Sequence, residues 1–432
     1  MNHQFTRRQF LRNGTLATAG FVLARTGVLG KGRSPNEKLN IGVVGTANRA
    51  RGNIAGVEHE NIVALCDIDD TFLAAAAERH PRAKTYNDFR RLLEQKDVDA
   101  VVISTADHTH AVATAAALKA GKHVYCEKPL THTVFEARMV SRLAAKNRRL
   151  ATQMGIQIHA GDNYRRVVEL VQSGAIGPVR ECHVWCSRDW SGGGRPADTP
   201  PTPRHIHWDL WLGPAPVRPY HPEYHPKNWR RWWDFGGGTL ADMGCHFLDL
   251  VFWALHLRAP KTIEATGPPV NPETTPAWLI VKYEFAARAN MPPLRLIWYH
   301  GENEVRPPLL QEGRVPKWEN GVLFVGDSGM LLADYGRRCL LPEAQYADFQ
   351  PPAPFIRDSI GHHNEWIKAC KTGSPTSCNF DYGGALTETV LLGNVAYRTG
   401  HKLEWNAARL KVENSKLAMS YVQQKYRKGW TL

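Results

Sequence analysis

Leu39-Asn40-Ile41-Gly42-Val43-Val44-Gly45-Thr46-Ala47-Asn48-Arg49-Ala50-Arg51-Gly52 decides the fold of this 432-residue chain. Its near-continuous apolar start reads as a strand buried on both faces, as strands of parallel sheets are. The turn that follows is where backbone N–H groups and a helix N-terminus meet a pyrophosphate. Of the three places where such a turn carries glycine, only Gly45 keeps it, and Ala47 and Ala50 hold the others. Context strengthens the match. Asn61–Asp67 is a second apolar strand, and its acidic end lies 22 residues beyond Gly45. An acid there accepts hydrogen bonds from adenosine ribose hydroxyls and repels a 2′-phosphate, which predicts NAD, while Arg49 leaves NADP open.

Strand and helix then alternate. Helical sequence at 70–79 leads to an apolar strand over Val98–Ser104. A helix over Ala111–Ala120 stops at Gly121, a strand covers His123–Cys126, and Glu136–Lys146 is helical. This alternation predicts an α/β fold with a doubly wound parallel Rossmann sheet. The pattern changes after about residue 158. Val179–Arg188, Leu279–Phe285, Leu294–Tyr299, Val322–Val325 and Met330–Ala333 read as strands with short or irregular connections. They predict a C-terminal α+β domain with a large open, mostly antiparallel sheet. A Pro/Trp/His-rich stretch fills 195–235, and Glu365–Cys370 and Leu386–Tyr397 are helical. The expected organisation is a signal and linker over 1–35, a Rossmann domain over 36–158, and a substrate-binding and oligomerisation domain over 159–432.

Hydrophobic content of 43% and charged content of 22% are those of a globular protein. The formal charge is +13, but residues 1–40 hold seven Lys/Arg and one Glu, which leaves +7 for the rest. No basic run interleaves with aromatics, so no nucleic-acid partner is expected. Eight cysteines show no small-domain disulfide framework, and Cys182 and Cys186 lack a second pair for zinc. No metal is expected.

Thr6-Arg7-Arg8-Gln9-Phe10-Leu11-Arg12 resembles a twin-arginine export signal, and a moderately apolar stretch from Gly14 to Gly30 follows it. That stretch is too weakly apolar for a membrane span. The expected location is periplasmic or otherwise exported, with no membrane contact beyond an uncleaved signal tether. The pathway carries folded proteins, so a cofactor would be loaded inside the cell.

Two further stretches carry chemistry. Gly236-Gly237-Gly238 opens a helical run in which Asp242 and His246 stand at i and i+4, on one face. A carboxylate beside an imidazole suits proton transfer near neutral pH. Glu127-Lys128-Pro129 follows the last predicted Rossmann strand and brings a lysine to its mouth. Trp229 and Arg230, just before the glycines, and His362 are candidates for binding sugar C–H faces and hydroxyls. A metal on Asp242, His246 and Asp249 is disfavoured, because Lys128 would repel it.

With Glu127-Lys128-Pro129, Asp242…His246, Thr105-Ala106-Asp107-His108-Thr109-His110, Trp208–Pro214 and Arg427-Lys428-Gly429-Trp430, the chain resembles the glucose–fructose oxidoreductase/inositol dehydrogenase (Gfo/Idh/MocA) family over residue 39 to the end. The last two stretches look like an exported subgroup. The resemblance implies NAD in a site that includes Gly45, Ala47, Asn48, Arg49, Asp67, Thr105, His108, Glu127, Lys128 and Gln157. It implies catalysis by Lys128, Asp242 and His246, with Pro129 linked to an unusual peptide geometry, and assembly as a homodimer or homotetramer. From the residues, His246 is the expected base, Lys128 orients and polarises the oxygen, and Asp242 fixes the imidazole or binds a neighbouring hydroxyl. A swap between Lys128 and His246 is equally compatible. The expected function is an exported NAD(P)-dependent oxidoreductase, with tightly bound cofactor, acting on a secondary alcohol of a sugar, glycoside or polyol. Free NAD is scarce outside the cytoplasm, so a retained cofactor would be recycled between two sugars. The alternatives are a glycoside hydrolase that works by transient oxidation and elimination, and a non-catalytic sugar-binding protein.

Overall fold

The computed structural model describes residues 37–302 and 305–432, and the export signal lies outside them. From Leu39 onward the chain forms one compact unit. Its first sheet contains β1 (Asn40–Val44), β2 (Asn61–Cys66), β3 (Lys84–Tyr86), β4 (Ala100–Ile103), β5 (His123–Glu127) and β6 (Thr152–Gly155). Their order is β3-β2-β1-β4-β5-β6, and every described pair is parallel. The order reverses between β1 and β4, which leaves a crevice beyond their carboxyl ends, where ligands of such sheets bind. Helices α1 (Arg49–Val57), α2 (Asp70–Arg79), α3 (Phe89–Leu93), α4 (Asp107–Lys119) and α5 (Val134–Lys146) complete the crossovers.

The turn between β1 and α1 explains the two missing glycines. Ala50 N–H donates to Ala47 O at 3.0 Å, and Asn48 between them takes φ +53°, ψ −115°. That is the first central position of a type II′ turn, which favours glycine and tolerates asparagine. Ala47 and Ala50 avoid positive φ, and the Ala50 methyl is fully buried. Gly45 is different. Its φ is +86°, and a Cβ there would stand 2.7 Å from Ser104 O.

The second half begins with α6 (Asp162–Gln172) and β7 (Val179–Cys186). A long insert then carries the short α7 (Trp208–Leu212) and leads into α8 (Gly238–Ala254). Strands β8 (Thr262–Thr266), β9 (Leu279–Phe285), β10 (Leu294–His300), β11 (Gly321–Gly326), β12 (Met330–Ala333), β13 (Arg338–Leu341), β14 (Leu403–Asn406) and β15 (Lys411–Val412) join β7. They form a nine-stranded sheet, in the order β13-β12-β11-β7-β10-β9-β8-β14-β15. It is mixed, because β10 pairs with β7 in parallel and the other neighbours run antiparallel. It is open at both edges, as expected, and covered on both faces. One face packs on α8, and on the other Leu310 of the short α9 (Pro308–Gln311) and Val315 cover Trp185, Tyr299 and Leu323.

Two later helices return to the first sheet. In α10 (His362–Thr372), Trp366 and Ile367 enter the core around Val43 and Tyr125. In α11 (Phe380–Thr399), Glu388 accepts from Arg138 of α5 at 2.7 and 3.0 Å. A cut after residue 158 therefore separates the chain in sequence, while residues 362–399 help to build both halves.

Gly45→Ala is expected to destabilise the protein by about 1–3 kcal/mol in urea unfolding, because the new methyl meets a backbone carbonyl at a forbidden φ.

Candidate active site

Glu127 ends β5 and gathers donors from four places. Arg49 Nε (2.9 Å), Asn53 Nδ2 (2.9 Å) and Gln157 Nε2 (2.8 Å) donate to Oε1, and the Lys128 N–H donates to Oε2 at 3.3 Å. Burial alone would raise this carboxyl, but the Arg49 and Lys128 charges hold it below its ordinary value. Arg49, the residue that left NADP open, thus pairs at the β5 side of the sheet. Asp67, at the β2 side, accepts from Thr46 N and Oγ1, both at 2.8 Å, and from Asp69 N at 3.1 Å. Three strand spacings separate β2 from β5, about 14 Å, so Asp67 and Glu127 mark two ends of one long site.

A cleft of about 410 Å³ opens at Asp67 and reaches Arg49 and Arg230, the partners of Glu127 and Asp242, without being lined by those two carboxylates. Gly45, Thr46, Ala47, Asn48, Arg49, Asp67, Thr105 and His108 line one side, and Trp190, Trp229 and Arg230 line the other. The insert is clamped over it. Ile206 pairs with Asp69 in a bridge, and His207 N–H donates to Ile68 O at 2.8 Å. His225–Asp69 (3.6 Å) and His207–Asp70 (3.0 Å) add side-chain contacts.

Lys128 and Asp242 come from different halves and meet as an ion pair, both nearly buried. Lys128 Nζ also donates to Asp242 O at 2.9 Å. The Lys128–Pro129 peptide is cis. Asp242 further accepts from Arg230 Nε at 3.2 Å and Trp190 Nε1 at 2.7 Å. Burial opposes this charge, but Lys128 and Arg230 outweigh it and hold the carboxyl far below the usual carboxylate range.

Several expected roles change. Asp242 makes no hydrogen bond to His246 among the described residues, because its oxygens are engaged by Lys128, Arg230 and Trp190. His246 Nδ1 is buried without a hydrogen-bond partner among the described residues. Burial and the Lys128 charge push this imidazole down to about 3, so it is neutral at neutral pH. Arg230 supports Asp242 through Nε, stacks over Trp229 at 4.2 Å, and lines the cleft with it. His362 is withdrawn from the cleft. It is 5% exposed, packs edge-on against Tyr125, and sets Nε2 against Met154 O at 3.0 Å. His108 faces Phe235 O (3.3 Å) and Trp211 O (2.8 Å) with its two ring nitrogens, so it fastens the insert instead of offering a donor to a cofactor. Gln157 acts through Glu127. Asp249 is structural, held by Tyr382 Oη (2.6 Å) and His159 Nδ1 (3.0 Å). No His/Cys/Asp/Glu group fit for a metal occurs among the described residues.

Three residues have roles that the sequence does not announce. Trp190 was one aromatic among many, and nothing in its spacing marked it as the donor to Asp242. Tyr335 lies far along the chain, yet its ring is 6.1 Å from His246, stacks on Phe247, and buries a hydroxyl with no partner among the described residues. Asp107 stood inside a quoted stretch. It is 2% exposed, and burial pushes its carboxyl up to about 8, with Arg230 and Lys128 opposing.

Two family models match the chain. One, an oxidoreductase family with an NAD-binding Rossmann fold (GFO_IDH_MocA), covers residues 39–155. The other, the C-terminal alpha/beta domain of the same oxidoreductase family, covers residues 165–303. The chain belongs to the Gfo/Idh/MocA oxidoreductase family. Its first domain is the NAD-binding Rossmann domain of that family. An inositol 2-dehydrogenase of Salmonella typhimurium is 34% identical over 148 residues, which are 34% of this chain and 43% of that protein. A glycosyl hydrolase family 109 protein of Solibacter usitatus is 32% identical over 193 residues, 40% of this chain and 44% of the relative. The matches thus span less than half of these relatives. The WlbA dehydrogenase of Bordetella pertussis, solved with NADH and UDP-GlcNAcA, shares the fold at 15% identity. That match has a TM-score of 0.62 and covers 86% of this chain and 99% of WlbA.

In this Gfo/Idh/MocA protein the tight glycine, the α1 N-terminus and Asp67 could hold the adenosine and pyrophosphate half of NAD, and the Glu127 cluster could stand toward the nicotinamide half.

The folded state holds the Asp107 proton up to about 8, against an ordinary value of 3.8. The folded chain therefore binds more protons between these values, and this residue's contribution to stability falls as pH rises through that window. Asp107→Asn is expected to leave the melting temperature unchanged near pH 4 and to raise it relative to wild type near pH 8.

Proposed function

We propose that this chain is an exported NAD-dependent oxidoreductase that moves hydride between nicotinamide and a secondary alcohol of a sugar, glycoside or polyol. The observation that carries this reading is the Lys128–Asp242 pair. It joins the two halves beside Glu127, and this reading sets the nicotinamide there. The carbohydrate class is supported by the relatives named inositol 2-dehydrogenase and by the sugar nucleotide in the WlbA complex.

Nicotinamide, when bound, accepts the hydride. The protein supplies position and charge. Lys128, anchored by Asp242, orients the substrate oxygen and stabilises negative charge on it, an effect of a few kcal/mol. His246 meets that oxygen as a neutral imidazole with a free buried nitrogen, so it can take the hydroxyl proton. Its low basicity opposes this step, and the charge of Asp242, one turn earlier, favours the imidazolium that forms. The orphaned hydroxyl of Tyr335 suits a neighbouring substrate hydroxyl, since buried polar groups need partners. The two unpartnered groups would be satisfied together by a polyol.

The similarity to a glycosyl hydrolase family 109 protein keeps a hydrolytic reading in view. Products decide between the two: a ketosugar or lactone with reduced nicotinamide for the oxidoreductase, a released aglycone for the hydrolase. A non-catalytic sugar-binding protein would yield none of these products.

Purified protein is expected to reduce NAD when supplied with a suitable sugar or polyol. Lys128→Met is expected to lower kcat/KM about a thousandfold while NAD binding persists, and retained turnover would refute its role. His246→Gln is expected to lower kcat/KM about a hundredfold. An Arg7→Lys/Arg8→Lys double variant is expected to stay in the cytoplasm, as cell fractionation would show.

A further inference from the structure

The stretch Arg427-Lys428-Gly429-Trp430 has no part in the chemistry above, yet the structure fastens it firmly. Tyr426 Oη donates to Glu136 Oε1 at 2.5 Å, which ties the tail to α5. Arg427 then grips the insert. Its guanidinium donates to Asp209 Oδ1, Asp209 O and Gly213 O, each at 2.5 Å, and its N–H donates to Pro214 O at 3.2 Å. Gly429 takes φ +91°, and Trp430 N–H closes a turn onto Arg427 O at 3.3 Å. A left-handed turn here needs glycine, and it swings the indole back toward the first sheet. Trp430 lands 6.1 Å from Phe89, with the Arg90 guanidinium 4.8 Å from its centroid. The ring stays partly exposed, and it lines the cleft together with Phe72, Phe89 and Asp67.

That position has chemical meaning. Phe89 follows β3 and Asp67 follows β2, so Trp430 stands at the adenosine end, far from Glu127. An indole and a phenyl ring on the wall of a slot offer flat and edge contacts to a purine. We infer that the C-terminal tail belongs to the dinucleotide site: Trp430 walls its adenine end, the Arg427 anchor holds that wall in place, and the tail slows cofactor release. This rests on the reading of the cleft as the dinucleotide site. With the insert on one side and the tail on another, NAD is enclosed by segments from three parts of the chain.

The test uses the full-length protein and three probes: NADH, ADP-ribose, which carries the adenine end, and nicotinamide mononucleotide, which lacks it. Trp430→Ala is expected to weaken NADH and ADP-ribose about tenfold and to speed NADH release by a similar factor. Nicotinamide mononucleotide binding should stay as in wild type. Arg427→Ala should act in the same direction, and Trp430→Phe should restore most of the affinity. Wild-type affinity and release rate in both alanine variants would overturn the proposal. So would an equal loss for ADP-ribose and nicotinamide mononucleotide together with a lowered melting temperature, which would mark a purely structural tail. A wild-type chain that bound neither NADH nor ADP-ribose would overturn the dinucleotide reading, and this proposal with it.

Discussion

A buried carboxylate organises this protein. Asp242 sits near the start of α8 with its charge removed from water, which is tolerable only if donors surround it. The donors come from three places: Lys128 from the loop after β5, Arg230 from the end of the insert, and Trp190 from its beginning. Removing one partner of such a pair costs about 3–5 kcal/mol, because the remaining charge stays buried. The same carboxylate therefore aligns the two halves, closes the insert, and fixes the lysine. Structure and chemistry depend on one group.

The cofactor cleft follows from the sheet beneath it. Parallel strands with a reversal between β1 and β4 leave their carboxyl ends open to a ligand. Asp67 follows β2 and Glu127 ends β5, and the three strand spacings between them suit the two ends of a dinucleotide. The insert covers the first of these ends through Asp69, Ile206 and His225. The Glu127 cluster fixes the second. Its carboxylate pairs with Arg49 on the β5 side, while Asp67, raised above its ordinary value by burial, stands on the β2 side.

Much of this was legible along the chain. The apolar run to Val44, Gly45 and the acidic end of the second strand are local signals, and they specified the Rossmann half. So did Glu127-Lys128, whose position after a strand sets where the lysine emerges. The later strands β9, β10, β11 and β12 were visible by alternation, whereas β8, β13, β14 and β15 were not. Those four are short or lie at the sheet's edges, where pairing rather than pattern makes a strand.

The sequence by itself determined the first domain, the class of cofactor and the presence of a lysine, an acid and an imidazole near one another. Its evidence is periodic and local, and such evidence fixes elements and their ends. Only the tertiary structure decided who touches whom. Spacing at i and i+4 put Asp242 and His246 on one face, yet Asp242 turned to Lys128, because a buried anion is satisfied best by a cation and further donors, wherever in the chain they originate. Contacts between distant segments also set His362 into a wall, made His108 a fastener, and brought Tyr335 and Trp430 to sites that no spacing announced.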